Sequence, residues 1–235
     1  MRKNNIFLHV VTNVIIVAVL VGLYFACVPD TAAADVSAPI YKNSAAENKV
    51  AIMFNVYQGT EYVEQILDTL DKYGVKATFF LGGCWAEKNV DIVKKIYEKN
   101  ELGNHGYLHL DHAKISKNQN REEIALCSRL IGKITGKEPT LFAPPSGSIG
   151  QNMLDVCDEL GVKVIMWSKD TIDWRDKDYE VITKRATKDI QSGDMVLMHP
   201  TEQTVKALPH ILDYYKEKGL EAVTVSELVA NMDTI

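Results

Sequence analysis

From Lys49 onward, short apolar runs alternate with amphipathic stretches almost without a break, and that alternation restricts the chain to a parallel α/β architecture. Val50-Ala51-Ile52-Met53-Phe54 is apolar throughout, as expected of a strand covered on both faces. Thr60 to Tyr73 follows with Val63, Ile66, Leu67 and Leu70 at helical spacing, and Thr60 is placed to cap it. Ala77 to Leu81 is the next strand and Val90 to Lys99 the next helix, with a third strand ending near Gly103. Arg121 to Ile134 reads as helix, Thr140 to Ala143 as extended, Gln151 to Leu160 as helix and Val162 to Trp167 as strand. Tyr179–Ile190 (helix), Met195–Met198 (strand), Gln203–Lys218 (helix), Ala222-Val223 (strand) and Val225–Met232 (helix) complete the series. Successive strand–helix–strand units imply parallel pairing through right-handed crossovers. About seven such units suit a compact, distorted (β/α) barrel better than an open doubly wound sheet. The absence of a G-x-G-x-x-G or Walker loop also disfavours a nucleotide-binding sheet. Met53, Met166, Met195 and Met198 fall inside strands and read as core.

The segment ahead of this region reads as an address. Arg2 and Lys3 precede a charge-free stretch from Ile6 to Val28, which at about 1.5 Å per residue is long enough for a bilayer core of about 30 Å. The two cations favour a cytoplasmic N-terminus, with the rest of the chain outside. Ala32-Ala33-Ala34 offers a signal-peptidase site, so residues 1–34 are expected to be either a retained anchor or a cleaved leader. Residues 35–48 are polar and aperiodic and read as a linker to a domain spanning 49–235. A net charge of -5 with interspersed signs gives no basic stripe, so nucleic acid is not an expected partner, and no protein partner is predicted. Of four cysteines, Cys27 lies in the apolar leader in a poor lipobox. Cys84, Cys127 and Cys157 show no C-x-x-C spacing and read as buried apolar residues rather than a disulfide framework.

In a parallel barrel, chemistry gathers where strands end. Those positions hold Asn55-Val56, Gly82 to Trp85, Gly103 to His109, Ala143 to Gly147, Asp170 to Trp174 and Leu197 to Pro200. Of six histidines, His105, His109 and His199 fall at such ends and His112 lies close by. The four-residue spacing of His105 and His109 would put two imidazoles on one side of a helical turn, a usual half of a zinc or other divalent site. Asp173 and His199 form a second set, in which a carboxylate would fix the tautomer of a general acid.

The order and spacing of these segments resemble the polysaccharide deacetylases, the NodB-homology domain of carbohydrate esterase family four, from about Lys49 to about Ala230. Val50 to Asn55 stands where that family begins with its T-F-D-D strand, and Lys76-Ala77-Thr78-Phe79-Phe80 is similar to its second strand. Gly103 to His109 resembles G-N-H-S-x-x-H and Phe142 to Gly147 resembles F-R-P-P-Y-G. Asp170 to Trp174 resembles D-x-x-D-W, and Val196 to His199 the terminal L-x-H. The resemblance implies His105 and His109 as metal ligands, zinc first, and Pro144, Pro145 and Trp174 as walls of a glycan groove; a silent glycan-binding domain would keep Trp85 and Tyr107 as well for stacking on sugar rings. It implies Asp173 orienting His199, and His199 protonating the leaving amine as an N-acetyl group is hydrolysed from an amino-sugar polymer of the envelope, peptidoglycan or chitin-like.

Three positions depart from that pattern. Asn55 and Val56 stand where the family carries a catalytic base and a third metal ligand, and Ala143 stands where an arginine pairs with the base. Asn55 cannot accept a proton at neutral pH, and losing a general base typically costs about 10²–10⁴ in rate. The expectation is therefore a hydrolase with impaired or altered catalysis on a weakened metal site, Asp111 or His112 being candidate substitutes for the base. The rival expectation is a silent glycan-binding or scaffold domain. Either would work outside the membrane, tethered by the N-terminal helix or secreted after cleavage at Ala34.

Overall fold

The structure, a computed structural model, describes residues 12–17, 19 and 38–232. The chain divides into two compact units, 1–36 and 37–235. In the first, residues 12–17 are helical. Among the described residues no helix is long and apolar enough to cross a membrane. Most of the expected anchor, Cys27 and the Ala32–Ala34 cleavage site lie outside the described residues.

The second unit is built on one parallel sheet. Its strands are β1 (Lys49–Val56), β2 (Thr78–Leu81), β3 (Glu101–Asn104), β4 (Leu141–Phe142), β5 (Lys163–Val164), β6 (Lys169–Asp170), β7 (Met195–Met198) and β8 (Glu221–Val223). The spatial order is β5-β4-β3-β2-β1-β7-β6, with β8 beside the foot of β1. This is the curled sheet of a distorted barrel, as the alternation predicts. Around it run α1 (Val63–Tyr73), α2 (Gly83–Lys88), α3 (Val90–Tyr97), α4 (Lys117–Thr135), α5 (Gln151–Glu159), α6 (Tyr179–Thr187), α7 (Glu202–Glu217) and α8 (Val225–Val229).

The two-residue period of β1 sorts its side chains. Val50, Ile52, Phe54 and Val56 pack in the layer between sheet and helices, with Val63, Ile66, Leu81 and Leu208. Ala51 and Met53 pack instead with Phe80, Leu141, Ile165, Met195 and Leu197 inside the curl. Asn55 continues the second series, one step nearer the mouth. The methionines are core residues, Met53, Met195 and Met198 being fully buried. Cys127 and Cys157 are buried free thiols that burial pushes up to about 12.

Several local expectations differ from the structure. Thr60 does not cap α1: Tyr62 holds the cap position with no side-chain bond, and the Thr60 carbonyl instead accepts from the Val63 N–H at 3.2 Å. A short helix not expected from the sequence, α2, opens directly after β2 at Gly83, where a Cβ would lie 2.3 Å from Tyr107 Cδ2 and only glycine allows that approach. α4 begins at Lys117, ahead of the expected Arg121, under a capping box formed by Ser116 and Gln119. Residues 38–48, assigned to a linker by composition, are docked on the sheet. Ile40 pairs with Ile165, Lys42 pairs with Asp194, and the Asn43 side chain donates to the Leu228 carbonyl at 2.7 Å.

Candidate functional site

The C-terminal ends of the strands bring Asn55, Tyr57, His105, His109, Asp173 and His199 to one mouth. A cleft of about 140 Å³ opens there, lined by Asn55, Tyr57, Gln58, Trp174, Lys177, His199, Pro200 and Thr201. A larger groove, about 750 Å³, surrounds the opposite, N-terminal ends of β2, β3 and β4. It is crossed by the exposed ion pairs Lys95–Glu64 and Lys99–Asp71 and holds none of the candidate metal, catalytic or groove residues. The chemistry therefore belongs to the smaller cleft.

The Asp173–His199 pair forms as expected. Asp173 is fully buried, and its Oδ1 accepts from His199 Nδ1 at 2.8 Å. Its Oδ2 accepts from the His199 backbone N–H and from Thr204 Oγ1, both at 2.6 Å. Three donors converge on one carboxylate and fix the imidazole with Nδ1 towards Asp173, so that Nε2 is the atom left for a ligand. Thr204, in the first turn of α7 under the Thr201 cap, has no signal in the D-x-x-D-W or L-x-H segments.

His105 and His109 also meet, with ring centroids 5.1 Å apart. The helical-turn rationale for their spacing is wrong: the residues lie in a loop after β3, not on a helix. What brings the rings together is a tight turn with positive φ at Gly106 (74°) and His109 (58°). Asn104 holds its start, accepting from the Gly106 N–H at 2.8 Å while donating to the Ile124 carbonyl and to Ser128 Oγ. Glu123 of α4 holds its far side, one carboxylate oxygen accepting from the Tyr107 and Leu108 N–H groups at 3.0 and 2.8 Å. His105 Nδ1 donates to the Ala143 carbonyl at 2.7 Å, which leaves Nε2 as its lone-pair atom. Burial, with His109 alongside, pushes the His105 imidazole down to about 3, so the ring is neutral at physiological pH. Burial lowers His109 as well. Tyr57, which the motif comparison passes over, stacks on His109 with centroids 3.9 Å apart.

Other candidates stand elsewhere. Trp85 is 5 % exposed, packs in the core and donates from Nε1 to the Gly59 carbonyl at 2.7 Å, so its ring cannot stack on a sugar. Pro144 and Pro145 are buried beneath the loop rather than presented as a wall. Tyr107 is partly exposed with its hydroxyl on Glu87 at 2.8 Å. Trp174 is 57 % exposed at the rim of the cleft and is the aromatic platform available to a ligand. Neither proposed substitute base is placed for the role. Asp111 is tied to Lys114 and Ser148 at the surface, and His112 is buried, its Nδ1 on Asn120 Oδ1 at 2.6 Å and its ring edge-on to Phe142.

The donor set for a metal is two neutral imidazoles and the amide oxygen of Asn55, which is buried and has no hydrogen-bond partner. Val56 is fully buried and apolar, and among the described residues no three His, Cys, Asp or Glu side chains are grouped to hold an ion. That set lacks the charged third ligand of a stable divalent site, and the residues do not make up the metal centre that the resemblance implies.

Comparison with known proteins bears on the family and the fold. The polysaccharide deacetylase family profile matches residues 42–165. The uncharacterized protein YlxY of Bacillus subtilis is 40 % identical over 192 residues, covering 81 % of this chain but 60 % of YlxY. A peptidoglycan-N-acetylglucosamine deacetylase of Bacillus cereus is 34 % identical over 196 residues, covering 80 % of this chain and 71 % of that protein. Among solved structures, a family-four pseudoenzyme from Bacillus anthracis superposes with a TM-score of 0.80 at 36 % identity, covering 82 % of this chain and 69 % of the other. A mutant of that pseudoenzyme is described as having restored enzymatic activity, and it superposes equally well.

Proposed function

Because the chain belongs to the polysaccharide deacetylase family, we propose that its mouth engages an N-acetylated amino-sugar polymer of the cell envelope, of the peptidoglycan type, without hydrolysing it at the rate of a complete family member. One observation carries this reading: the acid-side pair Asp173–His199 and the exposed Trp174 are in place, while Asn55, Val56 and Ala143 stand where the family pattern has its base, third metal ligand and arginine. A general base alone is worth about 10²–10⁴ in rate. The B. cereus relative, a peptidoglycan-N-acetylglucosamine deacetylase, supports the glycan class, and the B. anthracis pseudoenzyme supports the reduced chemistry. An extracytoplasmic location, with residues 1–34 as anchor or leader, belongs to the same proposal.

The test measures acetate release from chitin oligomers and peptidoglycan, with and without added zinc or cobalt, beside glycan binding by calorimetry. Binding with negligible acetate release is expected. Release within about tenfold of a complete member, far inside the loss expected for a missing base, would overturn the reading. A weaker hydrolase remains the second reading because the Asp173–His199 pair keeps the geometry of a general acid.

A further inference from the structure

The turn that carries His105 and His109 is held at both ends, by Asn104 and by Glu123, yet the residues around it do not make up a metal centre. What the turn does support is a ring. Tyr57 stacks on His109 with centroids 3.9 Å apart and planes 27° apart, and its centroid stands 6.1 Å from that of His105. His105 meets His109 edge-on at 5.1 Å and is itself buried, its Nδ1 fixed on the Ala143 carbonyl. The three rings form one cluster, and aromatic pairs at these separations keep defined orientations, so the stack sets the plane of the Tyr57 ring.

Of this cluster, Tyr57 is the member that reaches the cleft. It is half-buried and lines the cleft together with Trp174 and His199, whereas neither His105 nor His109 is among the lining residues. It follows Asn55 by two residues and so leaves β1 towards the same side. Gly82 gives it room, since a Cβ there would lie 3.1 Å from Tyr57 Cβ. A sugar entering the cleft therefore meets two aromatic side chains, Tyr57 and Trp174, and not the imidazole pair.

We infer, resting on the glycan-binding reading above, that Tyr57 is a sugar-binding residue of this cleft and that the His105–His109 turn is its pedestal. His109 is then a positioning residue: it acts on the ligand through the ring it holds, and no ion takes part.

The test is titration calorimetry of the N-acetylglucosamine tetramer against the full chain with a chelator present, repeated with zinc in its place. The wild-type protein should bind in the chelator, and Tyr57→Ala should weaken binding at least about tenfold, about 1.4 kcal/mol. Tyr57→Phe keeps the ring and should recover most of that loss. His109→Asn, chosen because asparagine tolerates the positive φ at 109, removes the pedestal and should cost about two- to tenfold. The deciding variant is Tyr57→Ala/His109→Asn. A residue that acts only through Tyr57 adds nothing once Tyr57 is gone, so the double variant should bind no more weakly than Tyr57→Ala. Additive losses overturn the inference, as do equal losses in Tyr57→Phe and Tyr57→Ala. Binding that requires zinc overturns it too, because the imidazoles would then serve an ion. Wild-type affinity in Tyr57→Ala, beside weakened binding in Trp174→Ala, overturns it and leaves the glycan-binding reading standing. No binding by the wild type in either condition overturns both.

Discussion

Val56→Asp tests most directly whether this mouth has lost a metal centre or merely reads as if it had. The side chain at 56 is fully buried, in an apolar layer with Phe54, Val63 and Leu81. A carboxylate placed there without a partner should cost about 3–5 kcal/mol, the usual loss when one member of a buried charge pair is left alone. For a domain of this size each kcal/mol moves the midpoint by about 2–4 °C, so Tm should fall by roughly 6–20 °C in the absence of metal. Zinc should then return part of the loss, because position 56 is where the family pattern puts the third ligand beside His105 and His109. At a concentration of about 100 Kd the gain is about 2.7 kcal/mol, or roughly 5–11 °C. The assay is thermal unfolding of wild type, Val56→Asp and Val56→Asp/His105→Ala, each with chelator and with zinc. The expected pattern is a large zinc shift in the single variant, none in the double variant and little in wild type. A metal-free variant as stable as wild type would refute the burial argument. A zinc shift in wild type equal to that of the variant would refute the claim that two imidazoles and an amide are an incomplete donor set.

The other expectations follow from individual contacts. Glu123→Ala strips the acceptor from the Tyr107 and Leu108 N–H groups, so stability should drop by about 2–4 kcal/mol and hydrogen exchange should accelerate at those two amides in particular, read by mass spectrometry. His105 has a folded-state pKa depressed to about 3, so the unfolded chain binds the proton first. Stability from this group is complete above about pH 6.5 and is lost as pH falls below it, by roughly 1 kcal/mol per unit, and His105→Gln should flatten that part of the acid-unfolding curve. Thr204→Val removes one of three donors from buried Asp173 and should cost about 1–3 kcal/mol in denaturant unfolding.

The alternation of apolar runs with amphipathic segments was enough to place every strand but β6, and most helices, because the central strands β1, β2 and β7 are covered on both faces and their apolar runs are continuous. What it could not carry was anything set by backbone geometry. The pairing of His105 with His109 was legible as a spacing but attributed to a helix, whereas the cause is two residues of positive φ held by Asn104 and Glu123. Period-3.6 logic does not see such a turn. Trp85 read as a groove wall because it follows a strand end, yet a glycine at 83 lets α2 start at once and turns that indole into the core. Residues 38–48 read as a linker because polar composition carries no trace of three backbone pairings to the sheet, from Ile40, Met166 and Asn43. Tyr57 and Thr204 were invisible for a simpler reason: each acts through a partner brought in from another strand or helix.

Three substitutions together leave a mouth that is quiet electrostatically, and the pattern of satisfied and unsatisfied groups shows how. With arginine absent at 143 and carboxylates absent at 55 and 56, no half of a charge pair is stranded in the interior, where it would cost several kcal/mol. The buried carboxylates that remain are matched, Asp173 by three donors and Glu123 by two. The Ala143 carbonyl still fixes the His105 tautomer, so the loop keeps the form of a metal-binding turn without the charge that would hold the ion. Relaxation of a disused site would be expected to scatter unmatched polar atoms around it. Instead the described interior holds two, His112 Nε2, on a ring edge-on to Phe142, and Asn55 Oδ1, a buried atom of a residue that lines the cleft.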